Sequence, residues 1–125
     1  MSVYRLRCEV QPYAWGSRTL IADLLGRPAS GGPEAELWLG AHPRCSSRLL
    51  AATDSGEEHA LSDWIEGDPA RALGAAVSER FGARLPFLFK VLAADQPLSL
   101  QAHPTLQQAR DGYVAENGAG VPLDA

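Results

Sequence analysis

Three polar side chains in the stretch 97–104 could bind one ligand together. Alternate side chains of a strand share a face, so Ser99, Gln101 and His103 are expected to lie on one side, about 6 to 7 Å apart. The intervening residues are apolar and are expected to be buried: Leu98, Leu100 and Ala102. An imidazole nitrogen and an amide oxygen at this separation could both reach one divalent cation such as zinc.

Two donors do not complete a zinc site, because zinc enzymes usually supply three or more protein ligands. The other histidines, His42 and His59, have no spacing that links them to this strand. Residue chemistry alone therefore favours the simpler alternative, a solvated polar face that ends in a proline turn.

Lys90 is the only lysine of the chain and stands inside the apolar run 85–93. Burial of an unpaired ammonium costs several kcal/mol, so we expect a carboxylate, a ligand or a water-filled cleft beside it. Functional lysines occur in such surroundings. A structural pair with a carboxylate such as Glu36, or a side chain that reaches solvent at the strand end, explains the position equally well.

Glu36 and Trp38 share one face of a predicted strand, and Gly40 and His42 continue that face if the strand runs so far. The carboxylate could hold a sugar hydroxyl while the indole covers an apolar face of the sugar. The residues alone favour the alternative, an outward polar residue beside an aromatic anchor.

These residues depend on elements that the periodicity predicts. Five strands are expected, over 4–10, 36–41, 48–52, 85–93 and 98–102, and the strand at 85–93 should be buried on both faces. Helices are expected over 19–25 and 105–117, with a helical insertion at about 60–82. The strands are not separated by regular crossover helices, which indicates a largely antiparallel sheet with inserted helices.

Local signals predict where the helices begin and end. Ser17, Ser62 and Asp68 are expected to cap helices, the last followed by a proline in the first turn. Gly26 and Gly118 are expected to end the first and last helices.

Composition limits the protein class. The chain has 125 residues, 46% hydrophobic and 21% charged, and a net charge of -4. These values favour one folded domain, and they give no basic field for nucleic acid or an anionic membrane. No apolar run suggests a spanning helix or a signal peptide, so a cytoplasmic protein is expected. Cys8 and Cys45 are expected to be buried free thiols.

Four ordered blocks of sequence resemble the amino-terminal portion of type I mannose-6-phosphate isomerases. They are Tyr13-Ala14-Trp15-Gly16-Ser17, the stretch 35–43 (AELWLGAHP), the stretch 85–92 (LPFLFKVL) and the stretch 97–104 (PLSLQAHP). The helical segment between the second and third blocks fits as well.

The resemblance implies a zinc-dependent enzyme with a cupin-like jelly roll and inserted helices, which interconverts mannose 6-phosphate and fructose 6-phosphate through an enediolate. It makes Gln101 and His103 two of the zinc ligands. It also places Trp15, Glu36, Lys90 and Ser99 at the pocket for the phosphorylated hexose, with Lys90 facing either the phosphate or a sugar oxygen. It identifies no proton-transfer base in this sequence.

The family's third zinc ligand, in a His-Lys-Pro-Glu block, and its fourth have no counterpart before Ala125. Residues 1–125 are therefore expected to form the amino-terminal part of a cupin-type catalytic domain, inactive alone and in need of the missing carboxy-terminal half as a partner. The alternative is a non-catalytic cupin-like module that binds a sugar phosphate or a partner protein.

Overall fold

Antiparallel sheets form the main framework, and several helices are added to it, as the sequence predicts. The computed structural model describes residues 4–50 and 58–121. The strands are β1 (Arg5–Arg7), β2 (Glu9–Gln11), β3 (Glu36–Leu39), β4 (Ala41–His42), β5 (Cys45–Ser46), β6 (Arg48–Leu50), β7 (Glu58–Ala60) and β8 (Phe89–Leu92). The helices are α1 (Leu20–Leu24), α2 (Leu61–Gly67), α3 (Pro69–Leu73), α4 (Ala75–Phe81) and α5 (Leu106–Gly118). Within these described ranges no helix has the length and apolarity needed to cross a membrane.

The strands form three antiparallel sheets, in the orders β2-β3-β8, β1-β6-β7 and β4-β5. In the first sheet β3 is central, with Leu37 opposite both Val10 of β2 and Val91 of β8. This sheet carries the two charged candidate residues of the sequence analysis, Glu36 and Lys90.

The predicted first strand is in fact two strands in different sheets. β1 pairs with β6, whereas β2 pairs with β3, and the partner changes at Cys8. Side-chain alternation continues through this point because the chain stays extended, so the period of two does not reveal the change of partner. As a result Leu6 is exposed, while Val10 packs against the core.

Helix α1 covers one face of the β2-β3-β8 sheet. Ile21 is fully buried against Leu37 and Ala93. The partly buried residues around them are Cys8, Val10, Leu39 and Val91. The predicted cap at Ser17 is wrong by two positions, because Thr19 occupies the N-cap of α1 and its side chain makes no capping hydrogen bond. The Ser17 hydroxyl still accepts hydrogen bonds from the amides of Thr19 and Leu20 just before the helix. Gly26, at φ 63°, follows the helix in the left-handed region, as expected.

The predicted strand over 85–93 is shorter and more open than expected. Only β8 forms a ladder, with β3, and Phe87 and Phe89 are 62% and 57% exposed. A continuous apolar run indicates two faces that need covering, and the described residues cover both incompletely, since Phe89 on the core face and Leu92 on the opposite face are exposed. The prediction of burial on both faces is therefore wrong for this chain.

The helical segment predicted at about 60–82 consists of α2, α3 and α4. Asp68 caps α3 as predicted, because its carboxylate accepts the amide hydrogen of Arg71. The predicted cap at Ser62 is wrong: β7 runs directly into α2, which begins at Leu61, so Ser62 already lies in the first turn.

The last helix follows its prediction closely. Thr105 and Gln108 form a capping box at the start of α5, and Gly118 is its final residue rather than the first one after it. Of the strand predicted at 48–52, β6 accounts for 48–50, and the remainder lies outside the described residues. Cys8 and Cys45 are free thiols, as expected, although both are only half-buried.

An ion pair between the buried Glu34 and the exposed Arg27 closes the loop after α1. Both terminal nitrogens of the Arg27 guanidinium donate to the Glu34 carboxylate, at 3.1 and 2.8 Å, and the Ser30 amide donates at 3.2 Å. Hydrogen bonds from Arg27, followed by those from Ser30, hold the pKa of Glu34 below its ordinary value of 4.5 although burial opposes this. The ionised carboxylate is thus the form that the fold stabilises.

We expect Arg27→Gln to lower the free energy of unfolding by about 2 kcal/mol at neutral pH, because a buried charge loses its partner. A lowered folded-state pKa gives stability that is present above the unfolded pKa and is lost as pH falls through the folded value. The difference between the two proteins should therefore shrink as pH falls below 4.5. Urea unfolding at several pH values measures this, with Arg110→Gln on exposed α5 as the control; a difference independent of pH would contradict it.

Candidate functional site

The face of the β2-β3-β8 sheet opposite α1 is polar. Leu37 and Val91 point to the core, so Glu36, Trp38 and Lys90 alternate onto the other face. In the register of β3 and β8, Trp38 lies directly opposite Lys90. This confirms the predicted alternation, with Leu37 and Leu39 on one side and Glu36 and Trp38 on the other.

Three side chains on this face contact one another. Lys90 Nζ lies 3.2 Å from Glu36 Oε2, and the indole nitrogen of Trp38 donates to the same oxygen at 2.6 Å. The ammonium also lies 4.6 Å from the centroid of the Trp38 ring, within the range of a cation–π contact. The carboxylate expected beside Lys90 is thus Glu36. We call Glu36, Trp38 and Lys90 the charged cluster.

Burial differs between the members of the charged cluster. The side chain of Glu36 is 11% exposed and that of Lys90 36%, and the whole Trp38 residue is 6% exposed. A carboxylate so deeply buried requires donors, and it has two. The ammonium therefore remains accessible from one side, where a ligand could meet it.

His42 extends this face beyond the charged cluster. Its ring packs edge-on against Trp38, with centroids 4.9 Å apart, and its Nδ1 accepts the backbone amide hydrogen of Arg44 at 3.2 Å. His42 also borders a cleft of about 950 Å³ between β4, α2 and residues 81–88. None of the residues predicted for the site lines this cleft, so the cleft adjoins the charged cluster rather than containing it.

The block around Trp15 approaches the start of β3. A Cβ built on Gly16 would lie 2.5 Å from the Ala35 backbone, so only glycine fits there. Gly16 and Ser17 form bridges with Ala94 and Glu34. The Trp15 ring stacks on Tyr13, with centroids 5.9 Å apart.

The segment with Ser99, Gln101 and His103 is not a strand. Residues 97–105 have no regular secondary structure, and all three side chains are exposed. Leu98, Leu100 and Ala102, which were expected to be buried, are exposed as well. Alternating polar and apolar residues form a strand only where a neighbouring strand pairs with them. The described residues supply no partner strand for 98–102. The predicted strand over 98–102 is therefore wrong for this chain.

The structure thus divides the six predicted site residues. It brings Glu36 and Lys90 into contact, places Trp15 beside Tyr13, and leaves Ser99, Gln101 and His103 exposed in the segment that leads to α5. Among the described residues, no three His, Cys, Asp or Glu side chains are grouped so that they could hold a metal ion.

Sequence reasoning missed the role of Ser47. Its buried hydroxyl donates to the Trp38 carbonyl oxygen at 3.2 Å and accepts the Gly40 amide hydrogen at 3.1 Å. Its carbonyl oxygen accepts the Leu61 amide hydrogen at 2.8 Å. Ser47 therefore ties the site strand to α2. A serine beside a short strand carries no distinctive pattern, so no signal in the sequence points to it.

A sheet face that holds a buried carboxylate against a partly accessible ammonium and an indole is the kind of surface on which ligand-binding sites are found. Comparison with known proteins identifies the family. The family profile "Phosphomannose isomerase type I, catalytic domain" matches residues 3–120. This chain belongs to the type I phosphomannose isomerase family.

The relatives are longer than this chain. It is 52% identical over 118 residues to the mannose-6-phosphate isomerase of Escherichia coli, which covers 94% of this chain and 29% of that protein. It is 42% identical over 116 residues to the human protein of the same name, and the match covers 86% of this chain and 27% of the human protein. A crystal structure of the Salmonella typhimurium isomerase with zinc and fructose 6-phosphate superposes on this chain with a TM-score of 0.88 and 49% sequence identity. The match covers 98% of this chain and 30% of the Salmonella chain.

We expect Gly16→Ala to lower the free energy of unfolding by about 1 to 3 kcal/mol, because its methyl group would clash with the Ala35 backbone. Thermal or urea unfolding measures this. The control is Gly112→Ala in α5, where an added Cβ meets nothing within 4 Å, so no loss is expected. Equal stability of the two variants would contradict the close approach.

We expect Lys90→Met to lower the free energy of unfolding by about 2 kcal/mol, because Glu36 stays buried without its cation. This value lies between the cost of breaking an exposed ion pair and that of breaking a buried one. The double variant Glu36→Gln with Lys90→Met should recover part of this loss. The exposed Arg7–Glu58 pair is the control, and Arg7→Gln should cost less than about 1 kcal/mol. Purely additive effects in the double-mutant cycle at Glu36 and Lys90 would show that the two side chains are not coupled.

Proposed function

We propose that this chain is the amino-terminal part of a zinc-dependent mannose-6-phosphate isomerase, which interconverts mannose 6-phosphate and fructose 6-phosphate. The charged cluster carries the proposal, because it places a partly accessible ammonium on a polar sheet face within a chain of this family. The activity is proposed for the longer protein, since this chain spans only 29% of its Escherichia coli relative.

Gln101 and His103 are the proposed zinc ligands of this chain. Their amide oxygen and imidazole nitrogen are suitable zinc donors, and both side chains are exposed. They supply too few ligands for a catalytic zinc, so the other donors must come from the remainder of the protein. Zinc, when bound, provides Lewis-acid stabilisation of negative charge on substrate oxygens.

Trp15, Glu36, Lys90 and Ser99 are the proposed substrate-pocket residues of this chain. Lys90 donates hydrogen bonds to the substrate from the open side of its ammonium, and the buried Glu36 keeps it in place. The indole of Trp38 closes the other side of the ammonium and excludes water there. We assign no proton-transfer base within the chain.

Solved variants of the Salmonella typhimurium isomerase support two of these assignments. One has a lysine replaced by alanine and another a histidine replaced by alanine. The separation between that lysine and that histidine along the chain is the same as the separation between Lys90 and His103.

The incomplete sheets support the proposal that a cupin-like jelly roll is finished by the rest of the protein. β8 carries exposed Phe89 and Leu92 at the edge of the β2-β3-β8 sheet, and α5 has no buried residue. Uncovered edges and apolar side chains of this kind require a cover. We therefore expect little or no isomerase activity from the 125 residues alone. A sugar-phosphate-binding or partner-binding module is the alternative function.

A chimera tests the proposal: residues 3–120 of this chain replace the matching segment of the Escherichia coli isomerase. We expect it to bind zinc and to convert mannose 6-phosphate in a coupled assay. Gln101→Ala or His103→Ala should lower bound zinc and reduce kcat/KM by at least about 10-fold, because each removes a metal donor.

The matched controls are Gln107→Ala on exposed α5 and His59→Ala on β7, which should leave zinc content and rate unchanged. A well-folded chimera that binds zinc but has no activity would favour the binding module. Unchanged zinc content in both Gln101→Ala and His103→Ala would show that the metal assignment is wrong.

A further inference from the structure

One oxygen of Glu36 restrains two of its neighbours at once. Oε2 accepts the indole hydrogen of Trp38 and lies 3.2 Å from the Lys90 ammonium. The Trp38 ring in turn covers the ammonium at 4.6 Å. Lys90 is therefore restrained from two directions by side chains that are themselves buried, which is unusual for a flexible lysine.

The charge of the cluster limits what Lys90 can bind. An ammonium has three N–H donors, and at most one of them is needed for Glu36 Oε2. Glu36 and Lys90 together carry no net charge, and a phosphate dianion brought to Lys90 would also lie within a few ångströms of the Glu36 carboxylate. Like charges at that separation repel strongly when they are poorly solvated. An uncharged oxygen meets no such penalty.

We propose that Glu36 is a positioning residue that fixes Lys90 as a hydrogen-bond donor to an uncharged oxygen of the sugar, rather than to its phosphate. This inference rests on the proposed isomerase function and refines it. Glu36 acts through Lys90, so its removal matters only while Lys90 is present. The phosphate must then be held by residues other than Lys90.

Kinetics of the chimera test this inference. Lys90→Met should lower kcat by about 100-fold, because it removes the hydrogen-bond donor. Glu36→Gln should lower kcat by about 10-fold, because a Lys90 ammonium that is out of position loses much of its effect on the rate. KM for mannose 6-phosphate and the inhibition constant of inorganic phosphate should each change by less than about twofold, and zinc content should stay constant. The double variant should match Lys90→Met alone, since the two residues act as a unit. Glu36→Asp should recover part of the loss in kcat.

Glu34→Gln is the matched control. It also removes the charge of a buried, ion-paired carboxylate close to β3, but Glu34 pairs with Arg27 rather than Lys90. Its kcat should stay within about twofold of the unsubstituted chimera, measured below its unfolding temperature. Tighter inhibition by phosphate in Glu36→Gln, multiplicative effects in the double variant, or an equal loss in Glu34→Gln would overturn the inference. An unsubstituted chimera without activity would instead remove the proposed function on which the inference rests.

Discussion

Burial of the Glu36 carboxylate is the constraint on which the site depends. A charge on a side chain that is 11% exposed is tolerable only if donors replace the lost water, and here Lys90 and Trp38 supply them. All three are held by the pairing of β3 with β8, which sets Trp38 opposite Lys90. The ladder therefore fixes the relative positions of a cation and an anion, and the opposite, apolar face of the same sheet anchors it to α1.

The scaffold restrains this strand at both ends. At its start, Gly16 lies so close to Ala35 that no side chain fits between them. At its end, the Ser47 hydroxyl bonds to the backbone of Trp38 and Gly40. These contacts are made by small residues in tight places, so the strand that carries Glu36 has little freedom to shift. Such rigidity suits a site that must hold a polar group in one orientation.

Sequence reasoning found the chemistry of the site better than its geometry. Alternation along 36–39 predicts the shared face of Glu36 and Trp38, which is present. The apolar setting of Lys90 predicts a carboxylate, a ligand or a water-filled cleft beside it, and the structure shows the first of these, the pair with Glu36. The strand over 98–102 and the single first strand are wrong, because a period of two shows that a chain is extended but not which strand pairs with it. The incomplete burial of 85–93 has a related cause, since the described residues leave apolar side chains exposed on both faces of β8. The hydrogen bonds of Ser47 and the ring contact of His42 with Trp38 depend on which residues the fold brings together. No periodicity in the sequence indicates them.

A crystal structure of the chimera with zinc and fructose 6-phosphate tests the positions of the Glu36 and Lys90 side chains most directly. We expect Lys90 Nζ to lie within hydrogen-bond distance of both Glu36 Oε2 and an uncharged sugar oxygen, with Gln101 and His103 on the zinc. A phosphate group seated on Lys90, with Glu36 turned away, would contradict the account.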